Sequence, residues 1–215
     1  MPVINPVAPR RAAFVLVLAA ALCGAAPFAR AQEAPDAIVK RVATDVIASI
    51  KADPAIQAGN EARIRDVLEA KLLPNFDFAR MTALAMGKNW RSATPEQQKR
   101  VTDEFRALLV RTYSTALSAY RNQVIDVKPP RAQSNDTEVV VRSEVKQSGA
   151  EPVTIDYSMA KTPGGWKVYD LAVNGVSLVT TYRETFATEV RAGGIDGLIK
   201  SLSAKNQQLA AKSAG

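Results

Sequence analysis

The stretch that most constrains this fold is residues 165–186, where a strand pattern gives way to a helix pattern. Side chains in its first half alternate between two faces, as in a β-strand, with Tyr169 and Asp170 on opposite faces. Asn174-Gly175 then predicts a turn, and apolar residues recur every three or four positions after Ser177, the expected N-cap. The stretch therefore predicts a strand that leads into a helix folded back over its sheet.

Other helices are predicted on both sides of that stretch, because apolar residues recur there at helical spacing. Asn60 and the run Thr94-Pro95-Glu96-Gln97 are typical helix starts, while Pro74 and Gly193-Gly194 are typical stops. Besides the helix after Ser177, the predicted helices cover residues 36–53, 60–73, 76–86, 95–120 and 195–209.

A period of two predicts the strands, and turn residues such as Ser148-Gly149 and Pro163-Gly164-Gly165 separate them by short connections. Short connections predict antiparallel neighbours. The predicted fold class is therefore α+β, a four-stranded antiparallel sheet with several helices packed over it. The predicted strands cover residues 123–128, 138–147, 152–161 and 165–173.

The first 31 residues predict a cleaved signal peptide. Arg10-Arg11 precede a short apolar run, and Ala29-Arg30-Ala31 is a small-x-small cleavage site. The run is too short for a membrane span, which needs about 20 residues. Phe14 argues against twin-arginine export, and Leu22 argues against a lipoprotein signal. We expect residues 32–215 to form one domain, with 205–215 as a frayed tail.

Composition excludes several classes of site. The chain has no histidine, and its one cysteine lies in the leader, so histidine-based triads, thiol nucleophiles and metal sites built from these residues are not expected. Cleavage leaves 25 basic and 21 acidic residues, a net charge of +4, with no block of like charge that predicts nucleic-acid binding. A non-catalytic binding protein without a cofactor or metal is favoured.

Two carboxylates keep an enzyme open as the alternative. Asp77 lies in the first turn of a predicted helix, and Asp170 lies in the middle of a predicted strand. Either could act as the general base of an isomerase- or hydrolase-like enzyme with an apolar substrate. The structural alternative is helix capping by Asp77 and a salt bridge or backbone contact by Asp170. The structural alternative is favoured, because no partner acid, base or oxyanion donor can be assigned.

The apolar and aromatic residues of the sheet and the helices around it predict either a filled core or a ligand pocket. Pattern alone favours a filled core, although tyrosines suit the mouth of a pocket, with the ring on an apolar wall and the hydroxyl near water. The basic residues considered for such a mouth are Arg80, Lys88, Arg91, Arg111, Arg121 and Arg183. The predicted pocket residues are Met81, Leu84, Phe105, Leu109, Tyr113, Val141, Val153, Ile155, Tyr157, Met159, Tyr169, Leu171, Val173, Val176, Val179 and Tyr182.

Several short motifs occur in the same order over most of the mature chain, and together they resemble the MlaC family. This family is the periplasmic phospholipid-binding component of the Mla lipid-transport system. The motifs are Asp77-Phe78 through Met86-Gly87, Trp90-Arg91-Ser92-Ala93-Thr94-Pro95, Phe105 through Tyr113, Trp166-Lys167-Val168-Tyr169-Asp170, Gly175-Val176-Ser177-Leu178-Val179 and Gly194-Ile195-Asp196-Gly197-Leu198.

The resemblance implies a fold similar to nuclear-transport-factor-2 or cystatin, with acyl chains in an apolar cavity between sheet and helices. It implies a monomeric periplasmic carrier whose ligand is phospholipid. The implied partners are an outer-membrane lipoprotein–porin complex and the inner-membrane MCE-domain protein of an ABC transporter, a system that maintains outer-membrane lipid asymmetry. With the resemblance, a pocket is favoured over a filled core. Another amphiphile such as a hopanoid, and an exported structural or chaperone domain without a pocket, stay open as alternatives.

Overall fold

Helices account for more than half of the described residues. The computed structural model describes residues 32–118, 123–130, 133, 135–147 and 149–212. The helices are α1 Pro35–Ala52, α2 Pro54–Gln57, α3 Glu61–Val67, α4 Phe78–Met86, α5 Pro95–Ser118 and α6 Leu178–Lys212. A π-helical turn, Leu68–Leu72, and two 3₁₀ turns, Leu73–Asn75 and Gly87–Ser92, connect some of them.

Helices α3 and α5 begin where their predicted capping residues lie. The side chain of Asn60 accepts hydrogen bonds from two amides of α3. Thr94 and Gln97 bond each other's backbone amides at the start of α5, which is the reciprocal capping box. In α6 the predicted break is present at Gly194, whose φ of 68° is not helical. The sequence predicts a frayed tail at residues 205–215; in the structure α6 extends as far as Lys212, and Asn206 is buried and donates to Glu104 of α5.

The sheet is an antiparallel meander of five strands in chain order, whereas the sequence predicted four. The additional strand is β5, two residues that pair with the end of β4 across Asn174-Gly175. Both turn residues have positive φ, 47° and 81°, as a two-residue hairpin turn of type I′ requires. The strands are β1 Val124–Lys128, β2 Glu138–Lys146, β3 Val153–Thr162, β4 Gly165–Val173 and β5 Val176–Ser177.

A β-bulge in β4 overturns the regular alternation predicted for that strand. Met159 of β3 pairs with Val168, while the preceding Ser158 pairs with Asp170, so Tyr169 is the additional residue. Val168 consequently shares a face with Leu171 instead of with Asp170. The predicted placement of Tyr169 on the same face as Leu171 is therefore wrong.

The buried apolar side chains of the described residues form two hydrophobic clusters. The first lies between α1, α3 and one face of the sheet, which we call the inner face and which carries Val141 and Met159. The second joins α4, α5 and α6 around Phe105 and Phe186. Leu171 packs against both clusters, so the inner face continues into the space among the helices.

The opposite or outer face of the sheet is tied to α4 by a three-residue contact. The Arg80 guanidinium lies 3.9 Å from the centre of the Tyr169 ring and donates to Glu138 at 2.6 Å. The Tyr169 hydroxyl donates to the other Glu138 oxygen at 3.0 Å. The hydrogen bond from Arg80, and then the one from Tyr169, hold the pKa of Glu138 below its usual value. The bulge thus turns Tyr169 outward, where it contacts polar groups.

The turn at Gly175 gives the first testable prediction. Gly175→Ala forces a side chain into the left-handed region and should lower the free energy of unfolding by about 1–2 kcal/mol. Urea denaturation measures this change. The matched control is Gly193→Ala, at a helical glycine with open space around its Cα, which should raise stability by about 0.5–1 kcal/mol. Equal effects of the two substitutions would contradict the assignment of the turn.

Candidate functional site

The inner face has a covered half and an open half. Val141 and Met159 in the covered half are fully buried, in the cluster that also contains residues of α1 and α3. Beyond them the apolar side chains are half-buried or exposed. The exposed fraction is 37% for Val153 and 62% for Val176. Cross-strand register makes these residues neighbours on one face. The open half consists of Val145, Val153, Ile155, Val173 and Val176.

The residues of the open half are neighbours on one face of the sheet, not isolated apolar side chains. Isolated exposed apolar residues are common, but a contiguous apolar patch marks a site where another molecule binds. The two-residue turn places Val176 opposite Val173, and the helix α6 begins two residues later. The start of α6 therefore borders the open half.

Aromatic side chains of α5 and α6 pack together in the second cluster. The Phe105 ring meets the rings of Tyr182 and Phe186 edge to face, at centroid distances of 4.9 and 5.0 Å. Tyr113, two turns further along α5, is 39% exposed. Burial raises the pKa of Tyr113 and of Tyr182, and the nearby Tyr113 phenol raises that of Tyr182 further. Both phenols are therefore neutral hydroxyl groups at neutral pH.

A pair of hydroxyl groups lies where the covered half meets the open half. Ser143 of β2 is completely buried, and its Oγ lies 3.3 Å from the Tyr157 hydroxyl of β3. Burial raises the pKa of Tyr157, and the hydrogen bond with Ser143 lowers it in part. Sequence reasoning missed Ser143, although its position in the alternation of Val139, Val141 and Val145 puts a polar residue on the apolar face.

Asp170 holds the junction between β4 and α6. Its Oδ2 accepts from the Ser177 hydroxyl at 2.6 Å, and its Oδ1 accepts from the Val179 amide at 3.1 Å. The Ser177 Oγ in turn accepts from the Thr180 amide, which confirms Ser177 as the N-cap. The backbone contact predicted for Asp170 is confirmed, and both carboxylate oxygens are used.

Asp77 has the corresponding role at α4. Its Oδ1 accepts from the Arg80 amide at 2.9 Å, which confirms the predicted helix cap. Its backbone amide donates to the Val168 carbonyl, and Lys167 donates to the carbonyl of Pro74. These contacts cover the edge of β4 where β5 does not reach it.

The structure divides the predicted pocket residues into three groups. The first group is half-buried or exposed, and its members are Val153, Ile155, Val173 and Val176 of the open half, Tyr157 and Leu171 beside it on the inner face, and Tyr113 and Tyr182 on the helices. Those that lie in the packed clusters are Met81, Leu84, Phe105, Leu109, Val141, Met159 and Val179. Tyr169 is separate from both, since it lies with Arg80 and Glu138 on the outer face.

The basic residues considered from the sequence do not form one cluster. Arg80 is paired with Glu138, and Arg183 donates to the carbonyl of Leu84. The Nε of Arg111 is buried and has no hydrogen-bond partner among the described residues. Lys88 and Arg91 are exposed on a 3₁₀ turn, and Arg121 lies outside the described residues.

The outer face carries a depression of about 750 Å³. Pro129, Val140 and Tyr169 line part of it. Its charged side chains are already paired within the chain, for example Arg142 with Asp156 at 2.6 Å and Lys128 with a carboxylate of its own strand. Because charged side chains form part of its lining, the depression is less uniformly apolar than the open half.

Two further properties concern only the described part of the chain. Its histidine, cysteine, aspartate and glutamate side chains form no group of three that could hold a metal ion. None of its helices combines the length and the apolar character needed to cross a membrane.

The sequence is similar to those of several known proteins. Residues 40–204 match the model of the MlaC protein family. The toluene tolerance protein ttg2D of Pseudomonas putida is 29% identical over 167 residues, 77% of each chain. The intermembrane phospholipid transport system binding protein MlaC of Haemophilus influenzae is 24% identical over 196 residues, 90% of this chain and 88% of that protein.

A solved structure is also similar to this chain. It is the phospholipid-binding protein from Ralstonia solanacearum in complex with a phospholipid. The two chains are 46% identical, the TM-score is 0.77, and the match covers 81% of this chain and 98% of the other.

Substitution of Asp170 tests whether this carboxylate is structural. Asp170→Ala removes the acceptor for Ser177 and Val179 and should lower the free energy of unfolding by about 1–2 kcal/mol, measured in urea. The exposed Asp45 offers a control, since Asp45→Ala should change it by less than about 0.5 kcal/mol. Loss of a catalysed reaction in Asp170→Asn, at unchanged stability, would instead support the carboxylate enzyme.

Proposed function

The chain belongs to the MlaC family, and from this premise we propose that it is a periplasmic phospholipid carrier that holds acyl chains against the open half of the inner face. The observation that carries the proposal is the contiguous, half-exposed apolar surface from Val145 across to Val176. The phospholipid bound by the Ralstonia solanacearum protein, at 46% identity, supports the same class of ligand here.

The proposed pocket lies between this surface and the helical wall of α5 and α6. Ile155 and Val173 form its sheet side, while Tyr113 and Tyr182 form its helix side. The similarity of the whole fold to nuclear-transport-factor-2 or cystatin stays a prediction. The head group lies toward solvent in this proposal, because the described contacts do not gather basic side chains at the open half.

Burial of methylene groups supplies the binding free energy. Each methylene removed from water contributes about 0.8 kcal/mol, so two chains of about 16 carbons gain roughly 25 kcal/mol relative to water. Relative to a bilayer, whose interior is equally apolar, the gain is close to zero. Such a carrier holds lipid while it crosses water and exchanges it with membranes without driving net transfer.

Net transport therefore requires other proteins and an external energy source. We propose the partners that the family resemblance implies, an outer-membrane lipoprotein–porin complex and the MCE-domain protein of an inner-membrane ABC transporter. In this proposal the first 31 residues direct export and are removed, and the mature chain acts as a monomer that helps to maintain outer-membrane lipid asymmetry.

A non-catalytic role is part of the proposal. The two carboxylates considered as general bases, Asp77 and Asp170, both act as helix caps. Each accepts hydrogen bonds from groups that fold the chain, which supports a structural role for both.

The content of natively purified protein tests the proposed ligand. Native mass spectrometry followed by lipid extraction should find glycerophospholipid bound to the protein, and the lipid-free protein should take up labelled phospholipid from vesicles. Protein that is consistently free of lipid, and that accepts none, would refute the proposal.

A substitution that fills the pocket tests its position. Ile155→Trp places an indole on the open half and should displace methylene groups of the ligand. Displacement of two methylenes weakens binding by about 15-fold. The measurement is labelled phospholipid retained after transfer from vesicles, with circular dichroism to confirm the fold.

Val140→Trp is the matched control, because Val140 is 54% exposed on the outer face of the neighbouring strand. It should leave lipid uptake unchanged. If Ile155→Trp unfolds the protein, the open half is part of a solid core. If both variants bind lipid like the unchanged protein, the pocket lies elsewhere.

A further inference from the structure

The Ser143–Tyr157 pair is polar and lies among the apolar side chains of the inner face. Val141 lies beside it in the covered half, and Ile155 pairs directly with Ser143 in the open half. The two residues are diagonal neighbours on adjacent strands, so the long tyrosine side chain reaches the serine hydroxyl. A fold that needed only packing at this position would be served by valine, which occupies the equivalent positions on either side in β2.

The hydroxyl pair has one more O–H donor than the hydrogen bond between its two members uses. Two hydroxyl groups carry two O–H donors, and the bond between Ser143 and Tyr157 uses one of them. Neither hydroxyl has another hydrogen-bond partner among the described residues. A buried donor without an acceptor costs about 1–3 kcal/mol. One proton is therefore available to an acceptor other than the residues that the structure describes.

Tyr157 is the member of the pair that can present this proton to a ligand. Ser143 is completely buried, while Tyr157 is partly exposed and borders the open half. In this arrangement the Ser143 hydroxyl donates to the Tyr157 oxygen, and the Tyr157 hydroxyl donates outward. The raised pKa of Tyr157 keeps its proton in place at neutral pH.

We propose that the Ser143–Tyr157 pair is a polar subsite that donates a hydrogen bond to an acyl-ester carbonyl of the bound lipid. The inference rests on the proposed function and extends it, since it assigns a preference for ester-linked over ether-linked lipid. A diacyl lipid carries its carbonyl oxygens at the top of its chains, so the apolar chains lie along the open half while a carbonyl meets the hydroxyl pair.

The ester linkage is the feature that such a subsite distinguishes. An ester and an ether with the same chains and head group have nearly the same apolar surface, so burial of methylenes favours neither. The ether lacks the carbonyl oxygen and would leave the Tyr157 proton unpaired. Sites built to bond a polar group reject analogues that lack it for this reason. A net hydrogen bond of this kind corresponds to roughly a fivefold preference.

The experiment uses competition between two lipids in one vesicle. Lipid-free protein is equilibrated with vesicles that contain equal amounts of dipalmitoyl phosphatidylcholine and its dihexadecyl ether analogue, and the bound lipids are counted by mass spectrometry. The unchanged protein should be enriched roughly fivefold in the ester. Tyr157→Phe and the double variant Ser143→Ala/Tyr157→Phe should bind the two lipids equally. Ser143→Ala should keep the preference, because Tyr157 still donates.

The control is a double variant of the same chemistry on the outer face, Ser158→Ala/Tyr169→Phe. Ser158 is next to Tyr157 in β3 but points the other way, and Tyr169 bonds Glu138 there. This variant should keep the ester preference. Thermal unfolding of every variant confirms that the fold is retained. Loss of the preference in the control as well would overturn the assignment to the inner pair.

A free fatty acid offers the same acceptor chemistry through its carboxyl group. Palmitic acid added to the vesicles should compete with bound phospholipid equally in the unchanged protein and in the inner double variant. Competition that depends on the pair would mean that it recognises a carboxyl group and would overturn the ester assignment. If the unchanged protein takes up ester and ether equally, the inference fails and the carrier function stands. If it takes up neither, the carrier function itself fails.

Discussion

The junction between β4 and α6 is the constraint on which the rest of the structure depends. A two-residue turn with positive φ at both positions reverses the chain, and Asp170 then bonds the first residues of the helix from within the strand. Because the carboxylate reaches both Ser177 and Val179, the helix cannot pivot freely about the turn. Its apolar stripe is consequently directed toward Phe105 of α5, and the inner face beside the turn is left only partly covered.

Local chemistry was sufficient to predict most helix starts and the two faces of β2. Asn60 and the Thr94–Gln97 box act within one turn of the chain, and their caps form as the residue types require. Alternation in β2 predicted Val141 on the buried face because that strand has no bulge. The antiparallel order likewise follows from short connections, although the two residues of β5 were too few to produce a pattern of their own.

Features that depend on pairing between distant residues were not predictable in the same way. The bulge at Tyr169 exists because β3 and β4 change register between Ser158 and Met159, which no periodicity within β4 reveals. Val141 belongs to the cluster that includes residues of α1 and α3, whereas Ile155 is only half-buried, and this difference depends on how distant parts of the chain pack. Both residues are equally apolar, so the sequence placed them together in one predicted pocket.

The open half and the hydroxyl pair differ in what they contribute to a carrier. Apolar contact gives affinity relative to water, but it is nearly the same for every lipid of equal chain length and nearly equal to that in a bilayer. It therefore cannot select one lipid from a membrane that contains many. Selection requires a group whose pairing changes between the membrane and the protein. In our proposal the Tyr157 hydroxyl has this property, because its bond with Ser143 is the one hydrogen bond it makes among the described residues and a bound ester carbonyl would accept its proton.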